Sequence, residues 1–226
     1  MTGVSIVLPV HDQADHIRAV VTEYVAAVAD LSRTSELILV PNGCRDDSDA
    51  ICADLAGELE PVRSVSSDRA GWGRAVRLGL ASAVGDTLCY TNTARTDPGD
   101  LRQALLYAES LPGVVVKANR KIREGRTRRL GSLLYNLECR ALFDLSSWDV
   151  NGTPKVFPRS CGRLLDLTRD DDLIDTEFAV ICRTEGYPMV ELPIFSARRH
   201  GGRSTTNART ALRLYRGAFE LRRQSR

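Results

Sequence analysis

This 226-residue chain has no run of the roughly 18 to 20 consecutive apolar residues that a bilayer-spanning helix needs. No transmembrane segment is therefore expected. Its opening, MTGVSIVLPVHD, lacks a basic n-region, and its short apolar run reads as a strand instead of a signal peptide. The expected compartment is the cytoplasm. The six cysteines, at 44, 52, 89, 139, 161 and 182, show neither a CxxC pair nor a Cys/His spacing. That argues against a zinc site or a disulfide framework and leaves them as small buried hydrophobes. Aromatic residues make up only 6% of the chain, with no stacking platform and no recognised nucleic-acid motif, so nucleic acid is not an expected partner. Internal repeats and low-complexity linkers are absent too, which leaves one domain over residues 1–226.

What is present is an ordinary globular composition, 43% hydrophobic and 27% charged, with an uneven charge pattern beneath a net charge of +2. Residues 117–129 (KANRKIREGRTRR) carry +6 and residues 197–226 carry +8, leaving the rest of the chain at −12. Two basic clusters on an acidic body point to an anionic ligand or surface, against the alternative of a solvated charged face.

Apolar runs alternate with helical patterns through the first half. Strands are predicted at Val4–Val10, Leu37–Val40, Val62–Val65, Thr87–Tyr90 and Val114–Lys117. Helices are predicted over Gln13–Ala29, Asp47–Leu59, Gly71–Val84 and Pro98–Ser110. Short strands separated by helices of ten or more residues imply βαβ units and a mostly parallel sheet. Such sheets bind ligands beyond the carboxyl ends of their strands, which draws attention to Pro9–Asp12, Pro41–Asp46 and Thr91–Asp97. The second half is less regular. Helices are expected over Thr127–Phe143, Asp175–Glu185 and Asn207–Arg222, and strands at Lys155–Phe157 and Met189–Phe195.

Taken singly, the strand-end segments have plain structural readings. Asp12 can cap a helix, Asn42-Gly43 suits a tight turn, and Asp46, Asp47 and Ser48 can cap the next helix. The GxG of RAGWGRAVRLGL lacks a third glycine and follows the third strand, so a dinucleotide fingerprint is rejected. The small residues around Gly71 still leave helix N–H groups that could face a phosphate.

In order, however, VSIVLPVHDQADHI, ELILVPNGCRDDSDA, AGWGRAVRLGLASAVGDTLCYTNTARTDPGDL, WDVNGTPKVFPRS, DTEFAVICRTEGYPMVELPI and RRHGGRST form a connected pattern. Over nearly the whole chain it resembles a family-2 glycosyltransferase of the GT-A fold, in the style of the dolichol-phosphate-mannose-synthase-like branch. The resemblance implies an α/β fold with residues 1–118 as a nucleotide-sugar-binding half. Residues 119–226 form an acceptor-side half that ends in a basic helix. It implies a nucleotide-sugar donor and sugar transfer, in the inverting sense, to a small-molecule acceptor. The alternatives are a lipid phosphate acceptor at the membrane surface and a degenerate, non-catalytic ligand-binding relative.

The resemblance also distributes roles. Pro9, His11, Asp12, Asn42, Gly71, Thr91, Asn92 and Thr93 fall at donor-binding positions. Arg199, Arg203 and Ser204 fall on a phosphate-binding loop, and Arg120, Arg128 and Asp149 on the acceptor side. Asp175 and Glu177 are candidates for the general base that an inverting transfer requires, or else a helix cap and a first-turn acid. The DxD positions, where family members hold a divalent ion, are Thr91 and Thr93 here, with Asn92 between them. Without a carboxylate such a site loses most of its attraction for Mg²⁺ or Mn²⁺, so no metal ligand is assigned. Arginines are expected to take over neutralisation of the diphosphate. The last helix, with Leu212, Tyr215 and Phe219 at helical spacing, either packs on the domain, the favoured reading, or lies on an anionic membrane.

Overall fold

In the computed structural model, the structure describes residues 3–121, 126–195, 201 and 208–224; within its helices, the side chains of 126–128, 208–213 and 224 lie outside the description. Among the described residues seven strands form one sheet in the order β3-β2-β1-β4-β6-β5-β7. They are β1 (Val4–Val10), β2 (Ser35–Pro41), β3 (Val62–Ser64), β4 (Thr87–Tyr90), β5 (Val115–Arg120), β6 (Lys155–Pro158) and β7 (Met189–Ile194). Only β6 runs against the others, pairing antiparallel with β4 and β5. The remaining pairs are parallel, as βαβ units with intervening helices require. Every residue of β1 is buried, the signature of a central parallel strand covered on both faces.

The helices are α1 (Ile17–Val28), α2 (Ser48–Glu58), α3 (Trp72–Ser82), α4 (Pro98–Ser110), α5 (Arg126–Phe143), α6 (Ile174–Thr184) and α7 (Ala208–Gln224). Three apolar clusters hold these layers. One joins α1 and α4 to the sheet, and a second joins α3 and α6 to its other face. The third seats α7 on α5 and α6 through Ala218, Leu221, Tyr135 and Cys139. At Gly79 an added Cβ would stand 2.2 Å from a methyl of Val7, so glycine is what lets α3 lie so close to β1 and β2. All six cysteines are unpaired and five are buried. Among the described residues no helix is long and apolar enough to cross a membrane.

Departures from the sequence expectations have local causes. Helix α1 begins at Ile17 and not at Gln13. The Gln13 and Ala14 amides donate instead to the Ser48 hydroxyl and the Asp46 carboxylate, tying the loop after β1 to the start of α2. Strand β5 runs on to Arg120, past Lys117, because Asn119 and Arg120 continue the register with Pro193 and Ile194 of β7. A 3-10 turn at Gly162–Leu165 carries no signal strong enough to have been predicted.

Candidate active site

The parallel strands β1, β2 and β4 end at one edge of the sheet, and their following loops are bolted to each other. Buried Asn42 is the bolt. Its amide nitrogen donates to the carbonyls of Val10 (2.7 Å) and Val40 (3.1 Å), and its amide oxygen accepts from the Gly71 N–H (3.0 Å). One side chain thus joins β1, β2 and the start of α3. The next residue, Gly43, has φ 56°, and a Cβ there would stand 2.6 Å from the Ala70 nitrogen, so only glycine fits. The half-buried ring of His11 is held by a 2.7 Å bond between Nδ1 and the Asn42 carbonyl. The exposed Asp12 accepts from the Arg45 N–H at 2.7 Å.

The strand-end segment of β4 turns its threonines inward. The Thr91 and Thr93 side chains are fully buried. Thr91 shares a 2.7 Å hydrogen bond with the Thr96 hydroxyl, and Thr93 donates to the Gln13 amide oxygen at 2.6 Å and to the Pro9 carbonyl at 3.3 Å. Asn92 accepts from the Ala94 N–H in a local turn. The eight positions that the resemblance assigns to the donor do gather at one edge, but they divide in two. Pro9, Asn42, Thr91 and Thr93 are interior struts. His11, Asp12, Gly71 and Asn92 reach the surface.

These residues do not fit a hard divalent ion of the kind the resemblance implies. Magnesium and manganese want several oxygen ligands including carboxylate, and the β4 end offers only hydroxyls engaged with the protein and one amide. Among the described residues the one group of three metal-ligating side chains is His11, Asp12 and Cys44, whose ligand atoms lie within 4.8 Å of one another at the ends of β1 and β2. Its imidazole and thiol suit softer ions than Mg²⁺.

Strands β4, β5 and β6 carry a buried ionic group in which Asp175, Arg120 and Asp149 are expected from sequence but their neighbours Lys155, Lys117 and Glu191 are not. Lys155 on β6 is wholly buried, and its ammonium pairs with Asp175, which is 5% exposed. The Asp175 carboxylate also accepts from the Tyr90 hydroxyl (2.9 Å) and the Trp72 indole N–H (3.2 Å). Burial, together with the Asp175 charge, pushes the Tyr90 phenol far up, which keeps it a donor. Burial draws Lys155 below the usual lysine range, and Asp175 only partly opposes this. Opposite Lys155 in the β5–β6 register stands Lys117, also wholly buried, bonded to Glu191 at 2.7 Å. Lys117 is lowered by burial in the same way. Arg120 forms a two-pronged pair with buried Asp149 at 2.8 Å on each prong. Burial opposes the Arg120 charge, but Asp149 raises its pKa overall. The lysines sit inside apolar strands, VVVKANR and PKVFP, and that placement was the available signal.

Glu177 is committed elsewhere. Its two oxygens accept from the Thr168 and Arg169 N–H groups, each at 3.0 Å, and from the Thr168 hydroxyl at 2.6 Å. It fastens the loop that also meets the start of α3, where a Cβ on Gly73 would fall 2.3 Å from the Arg169 carbonyl. Neither Asp175 nor Glu177 caps α6, whose N-cap is Leu173. Arg199, Arg203 and Ser204 lie outside the described residues. So does the Arg128 side chain, although its backbone belongs to α5.

Comparison with known proteins agrees with this architecture. Over 202 residues the chain is 28% identical to glycosyltransferase AglD of Haloferax volcanii, covering 84% of this chain and 32% of that protein. It is 23% identical over 207 residues to the undecaprenyl-phosphate 4-deoxy-4-formamido-L-arabinose transferase of Pectobacterium atrosepticum, covering 89% of this chain and 62% of that protein. The chain thus spans from about a third to under two thirds of the length of these curated relatives. Glucosyl-3-phosphoglycerate synthase of Mycobacterium tuberculosis, solved with phosphoglyceric acid, superimposes with a TM-score of 0.75 at 16% identity over 98% of this chain and 80% of its own. The same synthase solved with Mn²⁺, UDP-glucose and phosphoglyceric acid gives 0.72 at 17% identity over 98% and 79%. These likenesses show a GT-A fold. Residues 5–160 match the glycosyl transferase family 2 profile, and the chain belongs to that family.

Proposed function

We propose that this chain binds a nucleotide-activated sugar at the carboxyl edge of β1, β2 and β4 and transfers the sugar to an acceptor bearing a phosphate or carboxylate. The observation that carries the reading is the interlocking of those strand ends through Asn42, His11 and Thr93 in a chain of this family. His11, Asp12, Asn92 and the N–H groups at the start of α3 are the groups assigned to the donor. With no carboxylate at the β4 end, the diphosphate leaving group is neutralised by side-chain cations, and Arg199 and Arg203, with Ser204 as a further donor, are our candidates by sequence. On the acceptor side we assign Arg120, held in orientation by Asp149, and Arg128. The basic run 117–129 favours an anionic acceptor whether that phosphate sits on a small molecule or on a lipid.

Of the two acids the sequence singles out, Asp175 is the one we assign to the acceptor. Glu177 has both oxygens saturated by one loop, whereas Asp175 carries Lys155 and Tyr90 on Oδ1, has among the described residues only the 3.2 Å Trp72 indole contact on Oδ2, and lies where α3, β4 and β6 meet. Three donors fix the orientation of its carboxylate at that junction, where it can steer or accept an acceptor proton.

The test has two arms. Thermal shift and calorimetry against UDP-, GDP- and ADP-sugars, with EDTA or with Mg²⁺, report donor binding, and stabilisation that is the same in EDTA is expected. Transfer is then followed by mass spectrometry with 3-phosphoglycerate and with polyprenyl phosphate as acceptors. Absence of binding by any nucleotide sugar would overturn the reading. Binding only in Mg²⁺ would overturn the metal-free part alone.

A further inference from the structure

Helix α5 carries an apolar stripe that nothing among the described residues covers. Leu130, Leu133, Leu134 and Leu137 follow the i, i+3, i+4, i+7 spacing of one helix face and are 57%, 46%, 50% and 46% exposed. The opposite face, with Tyr135 and Cys139, is buried against α6 and α7. A core helix of this kind ordinarily has one apolar stripe, and α5 has two. Helix α7, by contrast, uses Tyr215, Ala218 and Leu221 for packing and leaves Phe219 exposed. Its candidacy as a membrane-facing helix is weakened accordingly.

Along α5 itself the charge is mostly of one sign. Arginines 126, 128 and 129 occupy the first turn of α5, and Lys121 stands exposed just before it. The sole acid in the helix is Glu138, whose Oε2 is buried. Leucines flanked by arginines at the positive end of a helix dipole match the boundary between acyl chains and anionic headgroups. A second copy of the chain is a poorer occupant. Four half-exposed leucines offer on the order of a few hundred Å², short of the ~800 Å² per partner of a stable interface.

We propose that the exposed face of α5 docks this protein on an anionic lipid bilayer, with Leu130, Leu133, Leu134 and Leu137 entering the acyl boundary and the exposed Arg129 and Lys121 meeting lipid phosphates. This holds whether the acceptor is a lipid or a small molecule, so it does not stand or fall with the acceptor assignment.

The experiment is vesicle co-sedimentation of the full chain. Phosphatidylcholine vesicles containing a minority of phosphatidylglycerol are compared with phosphatidylcholine alone, in low and high salt. Binding to the anionic vesicles that weakens with salt is expected. The double variant Leu133→Gln/Leu137→Gln should bind at least tenfold more weakly while its circular dichroism and thermal midpoint stay unchanged, because both positions are exposed. Light scattering over a range of concentrations reports self-association. No sedimentation with anionic vesicles would overturn the proposal, as would sedimentation indifferent to the double substitution. A dimer abolished by the same substitution, in a protein that ignores vesicles, would assign the face to a second copy instead.

Discussion

Replacing Asp175 by asparagine should be costly to the fold before it is costly to chemistry, and the reason lies with Lys155. That ammonium has no exposure, and its anionic partner in the structure is Asp175. Removing the carboxylate leaves a cation among apolar side chains, a change that typically costs about 3–5 kcal/mol. The faces of Tyr90 and Phe178, 5.2 and 5.6 Å from the ammonium, soften this by about 1 kcal/mol or more. A loss of ~3 kcal/mol for Asp175→Asn is therefore expected. Lys155→Met should cost a similar amount, since Asp175 keeps only the Tyr90 and Trp72 donors. The double variant removes both charges and puts a flexible apolar side chain against two aromatic rings, so it should recover most of the loss.

Urea unfolding with linear extrapolation at pH 7 measures the cycle. A pH arm sharpens it. Burial lowers the folded-state pKa of Lys155, so between that value and the ordinary lysine pKa the unfolded chain binds more protons than the folded one. Stability of Asp175→Asn should therefore rise with pH through this window, by up to about 1.4 kcal/mol per unit. The reasoning is refuted if the single variant loses less than ~1 kcal/mol, if it is insensitive to pH between neutral and alkaline conditions, or if the double variant is no better than the singles. The double variant also isolates chemistry. It should remain folded and bind nucleotide sugar, yet lose transfer by the ~100-fold or more that a proton-handling carboxylate contributes.

Three further substitutions test separate parts of the account. Gly79→Ala would place a methyl 2.2 Å from Val7 and should cost ~1–3 kcal/mol in the same unfolding assay; a neutral outcome would mean that α3 can lift off the sheet. Glu177→Gln should lose ~1–3 kcal/mol by weakening the acceptor for the 168–169 amides, while transfer per folded molecule stays within a few-fold of the parent; a collapse of transfer in a well-folded variant would return Glu177 to the chemistry. Burial raises the Glu138 carboxyl to about 7, so the folded chain holds a proton there that the unfolded chain has released, and stability falls as pH rises from about 4.5 towards 8. The full shift would correspond to about 3 kcal/mol, but the side chain is partly solvated, so Glu138→Gln should gain ~1 kcal/mol at pH 8 and nothing near pH 4.5. An equal gain at both would remove titration as the cause.

The order and kind of almost every element could be read from the letters because parallel strands buried on both faces write themselves as apolar runs. VSIVLPV and ELILV leave little choice, and β1 and β4 come out with the residue bounds predicted for them. Boundaries moved where side chains of distant segments captured backbone donors, as the Asp46 and Ser48 side chains do with the amides ahead of α1. The site was legible as a place and less so as a set of roles. Thr91 and Asn42 are polar residues at strand ends, and their letters do not reveal which way they face. In the fold they point inward and brace neighbouring loops. The two lysines could not be assigned from sequence because their partners, Asp175 and Glu191, are 20 and 74 residues away.

That inward turn of the threonines changes what the missing carboxylates mean. Had Thr91 and Thr93 kept the outward posture of ligands, the β4 end would read as a metal site with weakened donors, open to rescue by high Mg²⁺. Instead their hydroxyls bond Thr96, Gln13 and the Pro9 carbonyl, and Gln13 in turn anchors the loop after β1 through Ser48. A carboxylate at position 93 would face two acceptor oxygens and one at position 91 would keep only the Thr96 hydroxyl, and both sites are fully buried, where a poorly paired negative charge is strongly disfavoured. Restoring Thr91→Asp and Thr93→Asp should therefore destabilise the protein without conferring dependence on a divalent ion. Here the strand end is part of the scaffold, and in the function we propose the charge facing a diphosphate comes from side-chain cations instead.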